Sequence, residues 1–194
     1  MQLTQKELGT INNSEFLISK NRIISEIETQ LKATKTELES LVDNSGKKLN
    51  ISNEHFKSNI SKGENYKNLP FVILDYPSIF QKNDIFAYRT MFWWGNYFSA
   101  TLHLQGKYLD YYRNKLLSNF SLLLNKDIYI CINDSPWEYH FESNNFEMLQ
   151  PKHLEILEKK NFIKLSKKIP LEDYNSISQF SYDYFSHLLK VLTV

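Results

Sequence analysis

The sequence predicts an α+β domain spanning residues 1–194, with an antiparallel or mixed central sheet of about five strands. A long N-terminal helix and C-terminal helices are expected to pack on that sheet. Apolar residues recur at helical spacing near both ends of the chain, whereas the middle alternates at the period of a strand. The 194 residues are 42% hydrophobic and 23% charged, which is enough for one domain with a sizeable core.

The first long helix is predicted over residues 14–42, ending at the polar run 43–46. Its apolar residues follow alternating steps of three and four: Leu17, Ile24, Ile27, Leu31, Leu38 and Leu41. This stripe can pack on the domain's own sheet, or it can pair with a second copy and form a homodimer. We favour the first explanation because Lys20 and Thr34 interrupt the stripe. The polar stretch 47–69 is predicted to be a surface connection with at most a short helix.

An aromatic block with little charge, from Phe71 to Gly106, forms the predicted centre of the sheet. Residues 71–76 read as a strand that Pro77 ends, and two further strands over 85–94 and 97–104 form a hairpin. Gly95-Asn96 supplies the tight turn between them. The third strand should point alternate side chains to opposite faces, with Phe98, Ala100, Leu102 and Leu104 on one and Tyr97, Ser99, Thr101 and His103 on the other.

The remainder of the chain mixes helices and strands. Spacing predicts helices over 108–124, 151–160 and 176–192, and strands over 127–133 and 162–169. A further short strand is predicted at 137–141. In the strand over 162–169 we expect Lys164 and Lys168 to point outward, where lysines discourage edge-to-edge pairing of sheets.

Composition excludes several classes of protein. The net charge of +1 gives no overall field that favours nucleic acid or an anionic membrane, and the uncharged stretch 90–106 is too short and polar to span a bilayer. The first residues lack the apolar core of a signal peptide, and the single cysteine, Cys131, cannot form an internal disulfide. Together these features predict a cytoplasmic protein. We expect no cofactor, because the chain has no phosphate loop, nucleophile elbow or Cys-x-x-Cys motif.

The aromatic block also contains the main candidates for a ligand pocket: Arg89, Trp93, Trp94, Tyr97 and His103. A pocket of this kind is mostly apolar with a few placed polar groups. Arg89 needs a partner in such surroundings, which Asp75, Asp84 or an anionic ligand could provide. The alternative is that the aromatic residues simply form the core.

A second candidate is the pattern Glu138, His140 and Glu142, which places three polar residues on one face of the predicted short strand. One imidazole and two carboxylates suit a divalent metal ion, and His103 could join them. The alternative is a solvated face on an edge strand.

A third candidate is the lysine-rich stretch 159–168. Lysines beside aromatic residues such as Phe162 could hold single-stranded nucleic acid, although the balanced net charge argues against this partner.

Two stretches, residues 62–77 and 86–96, resemble an uncharacterised family of bacterial hypothetical proteins. The likeness rests on the runs Lys62 to Pro70, Ile73 to Pro77 and Phe86 to Asn96. More distantly, the order of elements is similar to the YktB-like group of uncharacterised proteins. Both resemblances imply an α+β fold, and neither implies an established activity.

The sequence therefore favours a binding or interaction module with a small-molecule or protein partner. The alternative is an enzyme whose site is assembled in space around His103, His140 and Glu138, with or without a metal ion.

Overall fold

A computed structural model describes residues 2–45, 49, 51 and 56–193, which form a seven-stranded antiparallel sheet with helices packed on one face. The helices are α1 (Gln5–Ile11), α2 (Ser14–Ser45), α3 (Lys107–Ser118), α4 (Phe120–Leu123), α5 (Leu154–Lys159) and α6 (Ile177–Thr193). The strands are β1 (Lys57–Tyr66), β2 (Leu69–Phe80), β3 (Ile85–Trp93), β4 (Tyr97–Gln105), β5 (Tyr129–Cys131), β6 (Phe146–Met148) and β7 (Phe162–Ile169). The predicted α+β class, long N-terminal helix and C-terminal helices are confirmed.

Within the described residues the sheet has seven strands, not the predicted five or so, in the order β1-β2-β3-β4-β7-β5-β6. β1 lies within the stretch predicted to be a surface connection. It shows little apolar alternation because it is an edge strand with mostly exposed side chains. Residues 47, 48, 50 and 52–55 of that predicted connection lie outside the described residues. The short strand β6 forms the opposite edge of the sheet.

The prediction that Pro77 ends a strand is wrong, because β2 continues through it to Phe80. The register against β3 shifts between Asp75 and Ser78, which marks a β-bulge. A proline at such an irregularity removes no bond of the regular ladder, and the strand can therefore pass through.

The apolar stripe of α2 packs on the domain's own sheet and on α6. Leu31 and Leu38 are fully buried, and the Thr34 hydroxyl makes a 2.8 Å hydrogen bond with the hydroxyl of Ser178 in the first turn of α6. The packing explanation is therefore right, and these residues are not available to pair with a second copy. Leu17 is the exception, since its side chain is 56% exposed. No helix among the described residues is long and apolar enough to cross a membrane.

The predicted alternation of β4 is confirmed, and the hairpin turn lies at Gly95, whose φ of +71° suits glycine. Phe98, Ala100, Leu102 and Leu104 face the helices. The opposite face is covered by residues 132–145, which connect β5 to β6 without regular secondary structure. We call this connection the cover segment. Connections of more than about 12 residues that lack secondary structure are uncommon in compact domains, and many of them cover functional sites.

Candidate functional site

Beneath the cover segment the sheet carries a layer of polar side chains that are buried or, for Arg89, mostly buried, and we call it the polar layer: Asp75, Arg89, Thr101, His103, Lys164 and Ser166. Strand register arranges them in two rows. One row runs across four strands from Asp75 through Arg89 and Thr101 to Ser166. The second row begins at the small side chain of Ala87 and continues through His103 to Lys164. The period of the strands therefore brings charged groups from distant parts of the chain together on one face.

The partner of Arg89 is Asp75. The guanidinium donates to both carboxylate oxygens, Nε to Oδ1 at 2.7 Å and Nη2 to Oδ2 at 2.8 Å. This is the bidentate geometry that Arg makes best with a carboxylate. Asp84, the other predicted partner, instead accepts from the backbone N–H of Lys107 at the start of α3. The sequence predicted that either an aspartate of the protein or an anionic ligand neutralises Arg89. In the structure Asp75 does so.

His103 and Lys164 lie opposite each other on β4 and β7 and are much less well paired. The side chain of Lys164 is fully buried, and the hydrogen bond from its ammonium goes to the backbone carbonyl of Glu138. His103 is 2% exposed, and neither ring nitrogen has a hydrogen-bond partner within the described part of the chain. Buried polar groups are nearly always bonded, so an unpartnered imidazole beside a buried ammonium is unusual. The prediction that Lys164 points outward is wrong.

The Tyr139 ring contacts both cations of the polar layer. Arg89 Cζ lies 4.4 Å from the ring centroid, and Lys164 Nζ lies 3.8 Å from it. The cation–π attraction to one aromatic ring stabilises both positive charges. Tyr139 belongs to the cover segment. It therefore both covers the polar layer and contacts its two cations.

Burial and mutual repulsion change the protonation of this row. Burial, with the Arg89 charge nearby, lowers the pKa of Lys164 from 10.5 to about 7. Burial, then Lys164 and Arg89, lower the pKa of His103 to about 3, so its imidazole is neutral at pH 7. The Gln105 side chain, two residues along the same face of β4, acts in the opposite direction and raises the pKa of His103, although among the described residues Gln105 Oε1 has no hydrogen bond of regular geometry.

Tyrosine hydroxyls from the sheet hold the cover segment in place. The Tyr66 hydroxyl accepts from the backbone N–H groups of Tyr139 and His140, at 2.7 and 3.0 Å, and donates to Glu138 at 3.1 Å. The Tyr97 hydroxyl accepts from the N–H of Phe141 at 3.0 Å. The two tyrosine hydroxyls therefore accept from backbone N–H groups that, in a strand at 137–141, would have donated to a neighbouring strand. The predicted strand is absent for that reason.

Replacing Tyr66 with Phe should therefore loosen the cover segment. Two backbone N–H groups lose their acceptor, and we expect a loss of about 2 kcal/mol in the free energy of unfolding. Tyr97→Phe, which frees one N–H group, is the matched control and should cost about 1 kcal/mol. Hydrogen exchange should accelerate at residues 139 and 140 in the first variant and at 141 in the second. Unchanged exchange at these amides would show that the tyrosines do not hold the segment.

The predicted metal candidates do come together, but their geometry does not suit one ion. His140 Nε2 lies 3.5 Å from Glu138, and Nδ1 lies 3.6 Å from Glu142. The two carboxylates thus lie next to different nitrogens of the imidazole. Glu142 also forms an ion pair with Lys67, with 2.9 Å between Lys67 Nζ and Glu142 Oε1. Among the described residues no group of three His, Cys, Asp or Glu side chains is arranged to hold a metal ion.

The enzyme hypothesis grouped His103 with His140 and Glu138. Within the described ranges no hydrogen bond or ion pair joins His103 to either of them. The ring of His103 instead lies 6.0 Å, centroid to centroid, from both Trp137 and Phe162. The geometry gives this grouping no support.

The five predicted pocket residues separate into two groups. Arg89, Trp93, Tyr97 and His103 share the face beneath the cover segment. Trp93 is buried there, donates to the carbonyl of Tyr66 at 3.2 Å and packs edge-on against Tyr97. Trp94 lies at the hairpin end and lines a separate groove beside α2.

The lysine-rich stretch 159–168 forms no continuous basic surface. Lys159 pairs with Glu155, Lys160 donates to the carbonyls of Ile132 and Asn133, and Lys164 is buried. That nucleic acid is a disfavoured partner stays a prediction from the net charge.

Cys131 is buried without a disulfide, and burial raises the pKa of its thiol. Such a thiol is a poor nucleophile at neutral pH.

No protein-family model, no curated protein and no solved structure matches this chain. The resemblances drawn from the sequence stay predictions, and any functional conclusion has to come from the polar layer and its cover.

Proposed function

We propose that this chain is a small-molecule-binding module that holds a compact carboxylate between the polar layer and the cover segment. The observation that carries the proposal is the row formed by His103 and Lys164, which is buried and has fewer partners than its polar atoms require.

Charge balance favours an anion as the ligand. Asp75 neutralises Arg89, whereas the ammonium of Lys164 donates to a neutral carbonyl and lies over the Tyr139 and Phe146 rings, with no carboxylate in ion-pair contact among the described residues. A carboxylate at this position would give Lys164 a counter-ion and would accept its remaining protons. Because an ammonium beside an anion keeps its proton more readily, binding would raise the pKa of Lys164 from about 7.

Tyr139 occupies the position that such a ligand would need. Its ring already lies against both cations, and the segment that carries it is held by side chains. We infer that the ligand replaces the Tyr139 ring when the cover segment lifts. The ligand must therefore be small and planar, as acetate and pyruvate are.

The test is ligand-induced stabilisation by acetate, pyruvate and inorganic phosphate, measured by thermal unfolding with chloride at equal ionic strength as the reference. At a concentration 100 times Kd, a ligand of the folded state stabilises it by about 2.7 kcal/mol. We expect acetate or pyruvate to stabilise the wild-type protein, and more strongly at pH 6 than at pH 8, because Lys164 is then charged.

Lys164→Met should abolish the effect of the carboxylates. Lys168→Met is the matched control, since Lys168 lies on the same strand and face but is exposed. The proposal is contradicted if acetate and pyruvate still stabilise Lys164→Met. It is also contradicted if chloride stabilises the wild-type protein as much as the carboxylates do.

A further inference from the structure

The N-terminal residues 2–18, which we call the arm, carry apolar side chains that nothing in the described chain covers. α1 has no buried residue, although a complete capping box at Thr4 and Glu7 stabilises its start. Six apolar side chains of the arm are between 40% and 68% exposed: Leu3, Leu8, Ile11, Phe16, Leu17 and Ile18. An exposed apolar patch of this extent on a folded chain marks an interaction surface.

A groove of about 530 Å³ lies beside the base of the arm. Its walls are mainly apolar and come from α2, the β3–β4 hairpin and the turn before α6: Ile23, Ile27, Phe92, Trp94, Phe98 and Tyr174. The chain therefore has an uncovered apolar projection and an open apolar groove at the same end of the molecule.

We propose that the occupant of this groove is the arm of a second copy of the chain, exchanged reciprocally in a two-fold dimer. Phe16, Leu17 and Ile18 cannot enter their own groove, because they belong to the same continuous helix that forms its wall at Ile23 and Ile27. A second copy presents the same residues from outside. A two-fold axis then places each arm in the other copy's groove.

Area and charge agree with this assignment. The six side chains expose on the order of 600 Å² per copy, so two exchanged arms would bury on the order of 1,200 Å², the lower end of stable interfaces, before the groove surfaces are counted. Arg22, at the groove, and Glu15, on the arm, have no ion-pair partner among the described residues, and Glu26, which also lines the groove, accepts a hydrogen bond from Gln30. An exchanged arm carries a free carboxylate toward a free guanidinium. This interface differs from pairing through the α2 stripe, which is buried.

The experiment measures mass in solution by light scattering and sedimentation over a range of concentrations. Two variants interrupt opposite sides of the contact: Ile18→Glu on the arm and Tyr174→Glu on the groove. Both positions are exposed, at 68% and 40%, so neither change should unfold the chain, and thermal unfolding checks this. Leu122→Glu is the control, since Leu122 is 45% exposed and lies away from both features.

The wild-type protein and Leu122→Glu should dimerise, and each interface variant should dimerise at least tenfold more weakly. A mixture of Ile18→Glu with Tyr174→Glu should recover a dimer, because one intact arm still meets one intact groove. A monomeric wild-type protein would overturn the proposal. So would a Tyr174→Glu variant that dimerises as well as the wild type, which would mean that the arms pair with each other.

Discussion

Arg89→Met is expected to lower the free energy of unfolding by about 3–5 kcal/mol, the usual cost of removing one partner from a buried ion pair. The reason is the carboxylate that remains. Asp75 is 5% exposed and loses both of its guanidinium hydrogen bonds. Methionine fills a similar volume, so the loss reports the unpaired charge more than a cavity. Urea unfolding at pH 7 measures the effect.

Two controls separate charge from packing. Lys159→Met removes one partner of an exposed pair with Glu155, and such pairs contribute about 0.5 kcal/mol or less. The double variant Asp75→Ala, Arg89→Met removes both buried charges and should be more stable than Arg89→Met alone. If the double variant is no more stable than the single one, the unpaired Asp75 is not the cause of the loss.

The second large effect is a pH dependence of stability that originates at Lys164. In the unfolded chain this lysine keeps its proton up to the ordinary pKa of 10.5, whereas in the folded protein it loses the proton near pH 7. The unfolded state therefore binds more protons in this interval, and stability must rise with pH. The slope approaches about 1.4 kcal/mol per pH unit, which gives a gain of about 2–3 kcal/mol between pH 7 and pH 9.

Variants isolate this contribution from other titrating groups. Lys164 is packed against Arg89 and His103 from the sheet, Glu138 and Tyr139 from the cover segment, and Cys131 from β5, and all of these remain in Lys164→Met. The variant should lose the gain with pH, whereas Lys168→Met should keep it. Urea unfolding at pH 7, 8 and 9 gives the comparison. Equal pH dependence in wild type and Lys164→Met would show that Lys164 stays protonated in the folded protein.

The elements predicted correctly are those whose side chains alternate between unlike environments. β4 and β7 were predicted within a residue or two of their bounds, and the apolar period of α2 identified its buried face. β1 was missed because an edge strand with exposed side chains carries no such period. The strand expected at 137–141 had the right alternation of side chains. Its backbone N–H groups, however, donate to the hydroxyls of Tyr66 and Tyr97, which are far away in the sequence.

The candidate site was only partly visible in the sequence. Arg89 and His103 stood out because charge is rare in an apolar run; the structure buries His103 and leaves the Arg89 side chain 16% exposed. Lys164 was assigned to the surface, since a lysine alternating with Ile163 and Leu165 looks like the outward face of a strand. It is buried because the cover segment lies over that face. A partial signal was the lack of any Lys or Arg between 127 and 150, the stretch that covers these cations.

The most direct test of the polar layer is the titration of Lys164 itself, followed by NMR of protein labelled with ¹³C at lysine Cε. We expect one lysine resonance to titrate near pH 7, to be absent in Lys164→Met and to move to higher pH when acetate is added. If every lysine titrates near 10.5, or if acetate leaves the low-titrating resonance unchanged, the polar layer does not hold a carboxylate.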